Sequence, residues 1–130
     1  MSEGEKTSGG GPSFRDLLVW QGAIALAKGV YEVSASWPKS EQFGLTNQAR
    51  RAAVSIAANI AEGQGRGMPN EFRQFLRYAY GSLCELETHL ELGMHLGCLA
   101  KQHHKSLCQQ STTVARMLHG LMRSLKSTDN

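Results

Sequence analysis

From Phe14 to Lys126 the apolar residues recur at steps of three and four, and both internal prolines, Pro38 and Pro69, fall between such stretches rather than inside them. That spacing puts side chains on one face of a helix, and proline is tolerated at a helix's first turn but not in its interior. No period-two stretch is long enough to read as a strand. The periodicity predicts four helices, at about residues 14–36, 41–62, 69–96 and 103–126. In the first, Leu17, Trp20, Ile24, Ala27 and Tyr31 form one stripe, and Leu26, Val30, Val33 and Trp37 form a second beside it. Ser40 is the N-cap candidate for the second helix, and Gly63-Gln64-Gly65-Arg66-Gly67 reads as its C-cap and turn. The third carries Phe72, Leu76, Ala79, Leu83, Leu86, Leu90, Gly93 and Gly97. The fourth carries Leu107, Ser111, Val114, Leu118, Leu121 and Leu125. Heptad-like seams on long helices with short connections predict an all-α, antiparallel up-down-up-down four-helix bundle.

A chain of 130 residues has room for one such core. Residues 1–13 are polar and rich in glycine and serine and read as a disordered tail, 14–127 as the bundle, and 128–130 as a second tail. Their acidic residues do not fit a signal peptide, and no apolar run approaches the roughly 18–20 residues of a membrane span. Cys84, Cys98 and Cys108 are too few and too far apart for a disulfide framework. They read as small core residues in a reducing compartment, so the expected location is the cytoplasm.

The second helix is the least ordinary. Between Ala52 and Ala61 its only polar side chains are Ser55 and Asn59. A helix apolar nearly all round needs cover on more than one side, which predicts a subunit interface along it. Its one polar seam, Gln48, Arg51, Ser55, Asn59 and Glu62, faces a matching seam on the third helix that includes Tyr78, Ser82, Glu85 and His89. Pairings such as Arg51 with Glu85, or Asn59 with Ser82, would form a structural polar network.

Chemistry-bearing motifs are missing. Metal-binding bundles use Glu-x-x-His steps, but Glu62, Glu85, Glu87 and Glu91 are followed three residues later by Gly65, Thr88, Leu90 and Met94. The i,i+4 pairs Glu85/His89, Glu91/His95 and His104/Cys108 read as helix support rather than metal ligands. No arginine precedes a histidine by five to seven residues, as the HEPN type of helical ribonuclease requires. The glycine run at Gly63 follows a helix and lacks a P-loop ending. No cofactor, metal or enzymatic activity is expected.

Charge is distributed unevenly. The net charge is only +3, but between Cys98 and Ser127 there are five basic residues and no acid. Lys105, Arg116, Arg123 and Lys126 lie along the face of the fourth helix opposite its leucines. Arg73, Arg77 and Tyr80 share a face of the third, and Arg66 sits in the turn before it. Such a stripe suits the phosphates of RNA or DNA. The alternative is a protein-interaction scaffold whose basic face docks an acidic partner.

Residues 14–23 (FRDLLVWQGA), 37–63 (WPKSEQFGLTNQARRAAVSIAANIAEG), 71–97 (EFRQFLRYAYGSLCELETHLELGMHLG) and 115–126 (ARMLHGLMRSLK) resemble the bacterial 23S rRNA intervening-sequence protein family. The chain departs from it at Ala57, where the family commonly has proline. The resemblance implies a four-helix bundle assembled as a homopentamer. It also implies a distant likeness to the accessory variability determinant of diversity-generating retroelements, a basic pentamer that binds nucleic acid. Arg51, Asn59, Glu62, Ser82 and Glu85 match recurrent positions of the family pattern.

Overall fold

The computed structural model describes residues 13–125. Lys126 and nearly all of the two expected tails lie outside them. Ser13 is described: its Oγ accepts a hydrogen bond from the Arg15 amide and caps a short 3-10 turn at Phe14–Asp16. Helix α1 (Leu18–Ser34) therefore starts later than the spacing suggests, after one extended residue, Leu17. A second 3-10 turn, Lys39–Glu41, leads to α2 (Leu45–Arg66), followed by α3 (Pro69–His95) and α4 (Lys101–Ser124). No strand occurs among the described residues.

Pro38 and Pro69 act as the periodicity requires, one before the 3-10 turn and one in the first turn of α3. Ser40 does not cap α2. Glu41 does so from inside the 3-10 turn, its Oε1 accepting from the Leu45 amide at 3.2 Å. The glycine run does not end α2 at Gly63 either. The helix continues through Gly63 and Gly65, and Gly67 stops it with a left-handed φ of 79°, a conformation open to glycine at no steric cost. Gly97, with φ 82°, plays the same part after α3.

The core uses one seam per helix. In α1 it is Val19, Ala23, Leu26, Ala27 and Val30. The expected Ile24 and Tyr31 lie outside it, 43% and 45% exposed, because the packed face follows the second stripe. In α3 and α4 the middle of each expected seam is buried, with Leu76, Leu83, Leu86, Leu90 and Leu118 sealed from solvent. At the ends Phe72, Leu121 and Leu125 are half-buried, and Gly97 is exposed beyond α3. Each fully buried leucine contributes roughly 1.5–3 kcal/mol, which makes α3 the principal apolar spine. Trp37 is buried against Gly93 of α3.

Helix α2 packs on α1 and, most extensively, on α3. Helix α4 packs on α1 and α3, and its backbone does not closely approach α2 among the described residues. From the turn at Gly67, facing pairs open outward: Gly63 against Phe72 and Phe75, Ser55 against Ser82, Leu45 beside Gly93. This close approach changes the account of α2. Ala49, Ala52, Ala53 and Ala57 are buried within the chain itself, so most of the helix needs no outside cover. Only Val54 and Ala58 remain exposed in its apolar stretch. The cysteines also differ from expectation: Cys84 is exposed, Cys98 and Cys108 are half-buried, and all three are free. No helix among the described residues is long and apolar enough to cross a membrane.

Candidate nucleic-acid interface

The sequence-derived basic residues fall into two groups. Arg66 is occupied locally: it pairs with Glu62 at 3.1 Å, and its guanidinium lies over the Phe75 ring, 4.9 Å from the centroid. Arg73 donates to Asn70 Oδ1 at 3.1 Å. Arg77 is exposed and forms no ion pair among the described residues. The second group is on α4. Lys105, Arg116 and Arg123 are exposed and likewise make no ion pair among the described residues. Lys105 and Arg116 border a hollow lined by α4 alone, and Arg116 and Arg123 border a second that α4 shares with Tyr80, Leu83 and Glu87 of α3.

Three hollows lie along α3 and α4. Near the start of α4, His104, Lys105, Cys108 and Arg116 line an open hollow of about 580 Å³. Farther along, Tyr80, Glu87, Arg116, His119 and Arg123 border another of about 500 Å³. A third, on the α3 side, includes Cys84, Glu87, Glu91 and His95. The hollow that the two helices share carries Arg116 and Arg123 from α4 and one carboxylate, Glu87, from α3.

Cross-helix contacts set its shape. The Tyr80 and His119 rings meet with centroids 4.6 Å apart at 59°. Hydrogen bonding with Cys84 is the first cause raising the Tyr80 phenol above its ordinary pKa, with smaller contributions from the thiol's charge, desolvation and Glu87. Ser111, buried among the leucines of α4, donates a hydrogen bond to Glu87 Oε2. Glu91 bridges two histidines, 3.0 Å from His95 Nε2 and 3.1 Å from His104 Nε2. His104 in turn lies 3.5 Å from Cys108 Sγ. Burial, then Glu87 and Glu91, push the Cys108 thiol above its ordinary pKa. Among the described residues, no group of three or more His, Cys, Asp or Glu is placed to hold a metal ion.

Of the polar side chains on the facing seams of α2 and α3, one pair meets across the helices among the described residues. Ser55 and Ser82 hydroxyls meet at 2.8 Å. Asn59 turns back along its own helix, donating to the Ser55 carbonyl at 2.9 Å and to its Oγ at 3.0 Å, instead of reaching Ser82. Arg51 is exposed and unpaired among the described residues, because Glu85 faces His89, one turn along its own helix, at 3.6 Å. Glu62 is likewise drawn to Arg66 one turn on. Local i,i+4 partners outcompete cross-helix ones wherever the latter require two long side chains to extend toward each other.

Sequence reasoning missed the Glu87–Ser111 contact, although one signal was available: Ser111 is the polar residue in the apolar stripe of α4, and a buried hydroxyl needs a partner. It also missed Arg50, which donates to Ser34 Oγ at 2.8 Å and stacks over Tyr31.

Four packed helices, with no strand among the described residues, define a helical-bundle protein. The chain belongs to the 23S rRNA-intervening sequence protein family, whose model matches residues 15–120. Its fold is similar to the 1.70 Å crystal structure of a protein of unknown function from the S23 ribosomal protein family of Bacteroides thetaiotaomicron VPI-5482. The TM-score is 0.73 at 22% identity, covering 82% of this chain and 99% of that one. At that identity the likeness concerns the fold alone. No curated protein matches the chain.

Proposed function

We propose that this chain is a non-enzymatic cytoplasmic protein that binds structured RNA or DNA through α4, as the subunit of a homopentamer of antiparallel up-down-up-down bundles. The observation that carries this reading is the set of cations on α4. Lys105, Arg116 and Arg123 are exposed along α4, and none forms an ion pair among the described residues. Arg77 adds to the same charge from α3, Lys126 extends the stripe in sequence, and Arg66 and Arg73 contribute less because each is already engaged. The family name points the same way, toward an association with rRNA. The facing pairs of α2 and α3 support the alternating helix directions.

The oligomer rests on the outward edge of α2 and α3, where Val54 (46% exposed) and Tyr78 (49% exposed) flank the small side chains of Ser55 and Ala58. The α4 backbone does not closely approach α2 among the described residues, so an interface there leaves the cationic side free. Phosphate contacts release counterions, so affinity must fall steeply with salt. Gel-shift titration with 23S rRNA fragments at about 50 and 200 mM salt tests the reading. Binding at the lower salt that collapses at the higher supports it. No binding at either overturns it.

A further inference from the structure

The geometry points to a base-reading pocket for an unpaired guanine at the hollow bordered by Tyr80, Glu87 and His119, an assignment that rests on the nucleic-acid reading above. A groove that only tracked phosphates would gain nothing from a carboxylate at its centre, since like charges repel. Yet Glu87 sits in the same hollow as Arg116 and Arg123, and no cation pairs with it among the described residues. Its position is not accidental in the local packing. The buried Ser111 hydroxyl donates to Oε2, which fixes the carboxylate and leaves Oε1 and the remaining lone pairs open.

A fixed, unpaired carboxylate selects for adjacent N–H donors. Among the nucleobases, guanine alone presents two neighbouring donors, N1–H and the 2-amino group, on its Watson–Crick edge. Adenine, cytosine and uracil offer one donor position each beside an acceptor, and that acceptor would face a carboxylate oxygen. The hollow supplies the other needs of an unpaired nucleotide. The Tyr80 and His119 rings, in tilted contact with centroids 4.6 Å apart, both border the hollow, and aromatic faces are the surfaces on which unstacked bases lie. The guanidiniums of Arg116 and Arg123 border the same space and take the flanking phosphates. A volume of about 500 Å³ falls within the range of small-ligand sites. A paired guanine has its Watson–Crick edge occupied, so the pocket reads loops, bulges or ends.

Fluorescence anisotropy with labelled oligouridine strands carrying one central guanine, adenine or inosine tests the assignment on the unaltered protein. The guanine strand binds about tenfold tighter than the adenine strand, and inosine, which lacks the 2-amino group, falls between them. Glu87→Gln brings the guanine-to-adenine ratio to about one. Tyr80→Ala weakens all three strands by roughly tenfold, with circular dichroism confirming the helical fold. Displacement of the guanine strand by free guanosine monophosphate also supports the pocket and identifies a free nucleotide as sufficient. Equal binding of the guanine and adenine strands overturns the pocket while leaving phosphate binding standing. Failure of every strand and of the rRNA fragments at low salt overturns both.

Discussion

At Gly63 the approach of α2 to α3 leaves no room for a side chain. A Cβ there would fall 2.6 Å from Phe75 Cβ and 3.3 Å from the Phe72 carbonyl oxygen, so backbone would have to move. Two residues on, Gly65 has nothing within 4 Å. Gly63→Ala is therefore expected to destabilise the bundle by about 1–3 kcal/mol, whereas Gly65→Ala stabilises it by roughly 0.5–1 kcal/mol through helix propensity. Urea titration of the two variants checks both signs, and equal effects would contradict the packing. Cys108 supplies a pH dependence. Its folded thiol holds its proton to higher pH than an unfolded one. The unfolded chain then binds fewer protons in alkali, so this contribution to stability is complete below about pH 8.5 and declines above it. The same cause makes Cys108 slower than exposed Cys84 toward iodoacetamide at pH 8, measured site by site by mass spectrometry.

Between elements, the α2–α3 contact depends on small side chains. Alanines at positions 49, 52, 53 and 57 bring the helices close enough for two serine hydroxyls to touch. The expected coupling between Ser55→Ala and Ser82→Ala is about 0.5–1.5 kcal/mol in a double-mutant cycle. A coupling of zero would mean that the hydroxyls prefer water. The polar seams themselves were legible from spacing, but their wiring was not. Spacing put Asn59 opposite Ser82 and Arg51 opposite Glu85. It gave no weight to the one-turn neighbours Ser55 and Arg66, which hold Asn59 and Glu62, or to His89, 3.6 Å from Glu85. The caps show the same limit: Glu41, not Ser40, reaches the first turn of α2, because a 3-10 turn intervenes.

For the whole molecule, the exposed edge of α2 and α3 makes the oligomer testable apart from the cations of α4. Light scattering on the intact chain is expected to return five times the 14.2 kDa subunit mass. Val54→Glu combined with Tyr78→Glu is expected to return the subunit mass with helicity retained. A monomer from the unaltered chain would remove the interface. Replacing Arg116 and Arg123 with alanine is expected to leave that mass unchanged and to lower RNA affinity, reducing the slope of log affinity against log salt by up to about two. An unchanged slope would place the phosphate contacts elsewhere.

By itself the sequence determined the number of helices, the apolar seams of α3 and α4, and the concentration of cations on α4. These follow from periodicity and chain position, which act along one helix at a time. Only the tertiary structure decided which stripe of α1 turns inward, that α2 buries its alanines against its own chain, and which charges remain unpaired. It also brought Ser111 to Glu87 and Tyr80 to His119. Those outcomes depend on distances between helices, and a hydrogen bond or ring contact is lost within an ångström or two of misplacement. Helical spacing along the chain does not define that separation.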